Sequence, residues 1–94
     1  MNSDKVKSFI NNRRSLFWYI PEEMKEEVSH ELLVETIFNY GNLNDIVELI
    51  DIIGIEKLSE VYHGVKGRKK MNYYPEIYNL FSLVVKKYAQ RNTE

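Results

Sequence analysis

The chain has 94 residues, of which 44% are hydrophobic and 13% aromatic, and its formal net charge is −1. This length fits one domain and this hydrophobic content is enough to build a core, so an intrinsically disordered chain is excluded. The absence of cysteine excludes disulfides and thiolate metal sites, and because no segment is apolar enough for a secretory signal or a membrane span, we expect a cytoplasmic protein.

The N-terminal part predicts a short helix that leads into an apolar, aromatic run. Either Asn2 or Ser3 can serve as the N-cap of this helix, which is expected to end near Asn12. The run at positions 16–20 stops at Pro21, because proline favours an extended residue before it and the first position of a new turn. The aromatic run therefore connects the first helix to a following one.

The middle of the chain predicts two helices, because apolar residues recur at spacings of three and four. Ser29 is a suitable N-cap for the first of them, and Gly41 is suited to end it. Either Asn42 or Asn44 can cap the second, which ends at Gly54. The stripe predicted to be buried on the first of these helices consists of Leu33, Ile37 and Tyr40, widened by Val34 and Phe38.

Two more helices are predicted in the C-terminal part. A short one begins at Ile55 and ends at Gly64, and a longer one begins at Pro75, since proline suits the first position of a helix. No segment alternates with period two, so the sequence predicts an all-α fold, a compact bundle of about five short helices that forms one domain over residues 1–94. The two helices that flank Gly54 also have the order of a helix-turn-helix pair.

Charge is strongly segregated along the sequence. The net charge is +3 over residues 1–20, −9 over residues 21–60 and +5 over residues 61–94. The acidic middle has two interpretations: its glutamates solvate helix faces, or they form a surface that docks a basic partner. The glutamates predicted to contact such a partner are Glu22, Glu23, Glu26, Glu27 and Glu31.

Phe17, Trp18 and Tyr19 form an aromatic cluster after the first helix. They can act as a hydrophobic staple that pins this segment onto the bundle. They can also act as a partly exposed hot spot for a protein partner, because tryptophan and tyrosine dominate such sites. The tyrosines that could extend a hot spot are Tyr73, Tyr74 and Tyr78.

A second candidate surface is a basic loop ahead of the last helix. The cations of this loop are Lys66, Arg68, Lys69 and Lys70. The loop is either a nucleic-acid contact that neutralises phosphates, or a solvated loop that offsets the acidic helices. The second helix of the helix-turn-helix-like pair carries Glu56 and Glu60 against only Lys57, so DNA would repel it and standard docking is not expected.

Catalytic and metal-binding patterns are missing from the sequence. There is no cysteine nucleophile, no Gly-x-Ser-x-Gly elbow and no glycine-rich phosphate loop. Glu60 and His63 share one helix face, but a di-iron bundle needs that pair twice and here it occurs once. We therefore expect a non-enzymatic protein without cofactor or metal that binds a protein partner, with nucleic-acid binding as the alternative. The wide apolar faces of the third and fifth helices would also accommodate a homodimer.

Four segments of the sequence form a recognisable pattern. They are 14–18 (RSLFW), 39–46 (NYGNLNDI), 54–61 (GIEKLSEV) and 79–83 (NLFSL). Together they resemble a family of small uncharacterised prokaryotic helical proteins that are often encoded next to nucleotidyltransferase-type toxins. Tyr19 and Asn44 depart from the family pattern, which has an acidic residue and an aromatic residue at those positions. The resemblance implies an antitoxin-like or toxin-accessory role and no catalytic residues.

Overall fold

The computed structural model describes residues 2–65 and 71–92, with side chains described as far as residue 87. The described residues form five α-helices: α1 (Asp4–Asn11), α2 (His30–Tyr40), α3 (Leu43–Ile53), α4 (Ile55–Gly64) and α5 (Pro75–Asn92). Two 3₁₀ turns, Arg14–Phe17 and Glu22–Glu27, connect α1 to α2. These residues contain no strand, so the predicted all-α bundle is confirmed.

The N-terminus of the chain is fixed by two neighbouring polar residues with different tasks. Ser3 is the N-cap of α1, and its hydroxyl accepts a hydrogen bond from the Val6 N–H. The Asn2 amide instead donates to the carbonyl groups of Glu26 at 2.8 Å and Val28 at 2.9 Å. The second 3₁₀ turn is thereby tied to the start of the chain, which closes the N-terminal side of the bundle.

The junction between α2 and α3 depends on a glycine and a capping box. Gly41 follows α2 in an extended conformation, and a Cβ atom there would lie 2.7 Å from the Ile37 carbonyl oxygen. Asn42, rather than Asn44, then caps α3: its side chain accepts from the Asp45 N–H, and the Asp45 carboxylate accepts from the Asn42 N–H, both at 2.9 Å. This compact junction sets α3 beside the end of α2.

The core is built around α2, which Ser29 caps at its N-terminus. The buried residues of α2 are Leu33, Val34, Thr36, Ile37 and Phe38. Phe38 packs against Phe81 of α5, with ring centroids 4.6 Å apart. The prediction that Tyr40 continues the buried stripe is wrong, because the ring of this last residue of α2 lies at the surface between Tyr19 and Tyr74.

The remaining helices enclose α2 and complete the core. Gly54 joins α3 to α4 with a φ of +85°, a conformation that other residues rarely adopt. Helix α4 packs against α5 through its buried residues Leu58 and Val61, which belong to the same core cluster as Phe81 and Val85. Along the described part of the chain, no helix is both long and apolar enough to cross a membrane.

Candidate protein-interaction surface

The aromatic cluster predicted at positions 17–19 is divided between core and surface. Phe17 is fully buried, whereas Trp18 is 70% exposed and Tyr19 is 40% exposed. The division follows from the 3₁₀ turn that ends at Phe17, because a helix with three residues per turn points consecutive side chains in different directions. Phe17 therefore has the position of a staple, and the two residues after it have the position of a contact surface.

Four aromatic side chains form a continuous row on this surface. We call Trp18, Tyr19, Tyr40 and Tyr74 the aromatic row. Their ring centroids are 5.4 Å apart from the first to the second, then 6.3 Å and 6.3 Å, and each pair meets edge to face. Tyr40 is 42% exposed and Tyr74 52%, so large parts of all four rings contact solvent. The row combines residues that lie far apart in the sequence.

Hydrogen bonds hold the aromatic row in place. The Tyr19 hydroxyl is hydrogen bonded to the hydroxyl of Thr36, a buried residue of α2. Asn39 fixes the segment that precedes α5: its amide donates to the Asn72 carbonyl at 2.8 Å, and its carbonyl oxygen accepts from the Tyr74 N–H at 3.3 Å. The rings are thus attached to α2 at two points rather than carried on a free loop.

A half-buried carboxylate, Glu35, lies beside the row. Burial raises its pKa above the usual value, and a hydrogen bond from the Asn72 side chain partly opposes this effect. Burial is also the main cause of the raised pKa of Tyr19, to which the negative charge of Glu35 adds. The pKa of Tyr40 is raised chiefly by its hydrogen bond to Tyr74, and again Glu35 contributes. The carboxylate therefore acts on two rings of the row.

Glu35 also lines a small cleft to which the segment 71–74 contributes. The cleft has a volume of about 80 Å³ and is lined by Glu31, Glu35, Val61, Val65, Asn72 and Tyr73. Tyr73 is buried, and its hydroxyl has no hydrogen-bond partner among the described residues. Burial raises the pKa of this hydroxyl, and the charges of Glu35 and Glu31 raise it further. Two carboxylates and an unsatisfied hydroxyl thus converge on one cleft.

The five glutamates that were predicted to contact a basic partner differ in their surroundings from the aromatic row. Glu22 interacts with Arg14 and Lys25, and these cations lower its pKa. Glu26 accepts a hydrogen bond from the Asn11 side chain at 2.9 Å, and Glu27 lies 3.8 Å from the ammonium group of Lys7. Three of the five glutamates therefore contact side chains of the N-terminal part. Glu23 is exposed, and Glu31 lies at the start of α2 beside the cleft.

The second predicted surface is the basic loop that precedes α5 in the sequence. Lys66, Arg68, Lys69 and Lys70 lie outside the described residues. In the helix-turn-helix-like pair, Glu56 and Glu60 of α4 are both exposed. Lys57 lies 3.4 Å from the Glu60 carboxylate, so the exposed charge of this helix is mainly acidic.

Comparison with known proteins gives no identification of the chain. No family model matches it, and neither a curated protein nor a solved structure matches it. Within residues 2–65 and 71–92, no group of three or more histidine, cysteine, aspartate or glutamate residues is arranged to hold a metal ion. The geometry of the aromatic row and the cleft is therefore the main guide to function.

Two of the four residues of the aromatic row are predictable directly from the sequence. Trp18 and Tyr19 belong to the cluster that was predicted to bind a partner, and Tyr74 is one of the tyrosines expected to extend it. The spacing of Tyr40 fits the buried stripe of α2 and therefore predicts a core position for a ring that is 42% exposed in the structure. Glu35 carries no local signal that separates it from the other glutamates, because its position depends on the segment 71–74 folding across α2.

Proposed function

We propose that this protein is a non-enzymatic interaction module that binds another protein through the aromatic row. The observation that carries the proposal is the row itself, four adjacent rings that are 40–70% exposed. Tryptophan and tyrosine are the residues that most often dominate the binding energy of protein interfaces. Clustered exposed aromatic residues of this kind mark an interaction surface more clearly than hydrophobic residues scattered singly.

The attachment of the row to α2 supports the same function. Aromatic side chains supply a large contact area and have only two rotatable side-chain bonds, so little conformational entropy is lost when they bind. Here the Tyr19 hydroxyl and the backbone of Tyr74 are already held, which reduces the loss further. A preorganised surface of this type needs little rearrangement in its partner complex.

The partner that we propose is a nucleotidyltransferase-type toxin, for which this chain would be the antitoxin or accessory protein. Support for this finer proposal comes from the four sequence segments that resemble the antitoxin-like family. One of these segments, 14–18, contains Trp18 of the row, and another, 39–46, contains Tyr40. Co-expression with the product of a neighbouring nucleotidyltransferase-type gene tests this proposal. Recovery of both proteins separately, each folded, would contradict it.

The general proposal is tested by comparing which proteins the wild type and two variants capture from the native cell extract. The variant Trp18→Ala/Tyr74→Ala removes both ends of the row, and Leu83→Ala is the control, because Leu83 is 66% exposed on α5 and lies outside the row. The loss of two hot-spot rings is expected to reduce recovery of a specific partner at least about tenfold. Equal recovery by both variants would contradict the proposal.

A further inference from the structure

The aromatic row ends next to a site with unsatisfied charge and hydrogen-bonding capacity. Glu35 contributes a half-buried carboxylate, and among the described residues no lysine or arginine forms an ion pair with it. A buried carboxylate is disfavoured unless a cation or hydrogen-bond donors compensate its charge. Among the described residues, the Asn72 side chain compensates Glu35, since its hydrogen bond favours the charged form. The carboxylate is thus suited to receive a positive group from outside.

Tyr73 provides a second, independent sign that this cleft takes a ligand. Tyr73 lines the cleft and is only 6% exposed, and its buried hydroxyl, on which the charges of Glu35 and Glu31 act, finds no partner among the described side chains and backbone groups. Buried hydroxyl groups are nearly always hydrogen bonded, so one without a partner calls for an explanation such as a ligand. The hydroxyl oxygen can accept a hydrogen bond from a cationic donor that also contacts Glu35.

The dimensions of the cleft favour a small polar group at the end of a chain. Its volume of about 80 Å³ exceeds the roughly 30 Å³ that one water molecule occupies in the liquid. The cleft has apolar walls at Val61 and Val65 and polar groups at Asn72 and Tyr73. Such a site has room for the head group of one side chain, but not for a folded segment of a partner.

The chemistry of the site selects one cationic head group over the other. A guanidinium group is planar, presents five N–H donors in a fixed arrangement and stacks on aromatic rings. An ammonium group is more strongly hydrated and acts as a point charge. The acceptors here are the carboxylates of Glu31 and Glu35 and the Tyr73 hydroxyl, and Glu35 is close enough to Tyr19 and Tyr40 for its charge to act on both. This combination matches a guanidinium better than an ammonium group.

We propose that the cleft formed by Glu35, Asn72 and Tyr73 receives an arginine side chain of the protein that the aromatic row binds. The inference rests on the proposed function of the row and adds the chemistry of the partner. The arginine head group donates to the Glu35 carboxylate and the Tyr73 hydroxyl, while the flanking residues of the partner lie on the aromatic row. The partner segment is therefore basic, in keeping with the net charge of −9 over residues 21–60.

The inference is tested with blocked hexapeptides of alternating arginine and glycine. Trp18 is the only tryptophan of the chain and belongs to the row, so its fluorescence reports occupancy. The arginine peptide is expected to bind at low salt, and the lysine version more weakly. The citrulline version keeps the shape of arginine without its charge, and its affinity is expected to be at least about tenfold lower, as loss of a charge-assisted hydrogen bond implies.

Variants separate the cleft from general electrostatic attraction. Glu35→Gln is expected to weaken binding of the arginine peptide about tenfold. Glu56→Gln removes the same charge from the exposed surface of α4 and is expected to leave the affinity unchanged. Tyr73→Phe removes only the unsatisfied hydroxyl and is expected to weaken binding about threefold while the chain remains folded.

Several outcomes would overturn the inference: no binding of the arginine peptide, equal binding of the citrulline peptide, or equal affinities of Glu35→Gln and Glu56→Gln. The capture experiment with the Trp18→Ala/Tyr74→Ala variant is independent of these outcomes. If capture depends on the row but peptide affinity does not depend on Glu35, the proposed function stands and the arginine cleft is wrong. If capture is independent of the row, the proposed function fails whatever the peptides show.

Discussion

The Tyr73 hydroxyl is the residue-level feature at which the requirements of stability and of the proposed binding differ most clearly. It is buried without a hydrogen-bond partner among the described residues, and leaving such a group unsatisfied costs about 1–3 kcal/mol. In natural proteins, a residue that lowers stability in this way often lies where a ligand binds. The tyrosine ring itself is part of the core, packing against Phe81 with centroids 5.5 Å apart.

This conflict predicts opposite effects for two conservative substitutions. Tyr73→Phe keeps the packed ring and removes the unsatisfied hydroxyl, so it is expected to raise the free energy of unfolding by about 1 kcal/mol. Tyr62→Phe removes a hydroxyl that donates to Ser82 at 2.8 Å, and it is expected to lower the free energy of unfolding by about 0.5–1.5 kcal/mol. Urea unfolding at neutral pH measures both. Destabilisation by Tyr73→Phe would show that its hydroxyl is satisfied in the folded chain.

Glu35 predicts a distinctive dependence of stability on pH. Burial raises its pKa in the folded chain above its usual value of 4.5, so the folded chain binds this proton more tightly than the unfolded chain does. Its contribution to stability is full below pH 4.5 and falls as the pH rises from there through the raised pKa. Glu35→Gln is therefore expected to gain stability relative to the wild type between about pH 4 and pH 7.

The measurement is the free energy of unfolding of wild type and variant at several pH values in that range. Glu56→Gln is the matched control, because it removes one carboxylate from an exposed position on α4. A difference between wild type and Glu35→Gln that stays constant with pH would mean that the folded chain does not raise the pKa of Glu35. Because Glu35 is not fully buried, we expect a small effect.

At the level of the helices, Gly54 and Gly64 have similarly open surroundings but differ in backbone conformation. Gly54 has a φ of +85° and a ψ of 153°, a region that is almost reserved for glycine, whereas Gly64 has no such positive φ. A Cβ atom would meet nothing within 4 Å at either position. Space is therefore equal at the two sites, and only the backbone conformation distinguishes them.

The paired substitutions Gly54→Ala and Gly64→Ala separate conformation from packing. Gly54→Ala is expected to lower the free energy of unfolding by about 1–3 kcal/mol, because alanine is strained at this φ. Gly64→Ala is expected to be neutral or stabilising by up to about 1 kcal/mol, because alanine favours the helix and restricts the unfolded chain. Thermal or urea unfolding checks both, and similar losses in the two variants would contradict the assigned conformations.

Helix starts and stops were largely predictable from local chemistry. Ser29 is predictable as a cap because its side chain can accept a hydrogen bond from the first turn of a helix. At the other two helix starts the sequence leaves two candidates each, Asn2 or Ser3 and Asn42 or Asn44, and Ser3 and Asn42 are the caps in the structure. Gly54 and Pro75 marked boundaries for equally local reasons. The 3₁₀ turns and the exposure of Tyr40 were not predictable, because they depend on contacts between segments that are distant in the sequence. The same holds for the candidate site, where α2 meets the segment 71–74.

For the whole molecule, folding brings segments of opposite charge, which are separate along the sequence, into contact with each other. Basic residues of the N-terminal part contact acidic residues of the middle: Arg13 lies 2.8 Å from carboxylate oxygens of both Asp45 and Glu48, and Lys7 lies 3.8 Å from Glu27. The Lys7–Glu27 pair is partly exposed, and pairs of that kind contribute about 0–1 kcal/mol each to stability, whereas both side chains of the Arg13–Asp45 pair are only 17% exposed. Their main effect is to reduce the acidic field on that side of the bundle. Glu35 has no such pair among the described residues and lies beside the aromatic row.

Photo-crosslinking in the native cell measures directly whether the aromatic row is the surface that binds a protein partner. Benzoylphenylalanine is placed at position 18 or 74 of the row, and at the control positions Val47 and Leu83, which are exposed on α3 and α5. We expect one discrete protein adduct from positions 18 and 74, and none from the two control positions. Adducts from the control positions alone, or the same adducts from all four, would contradict this expectation.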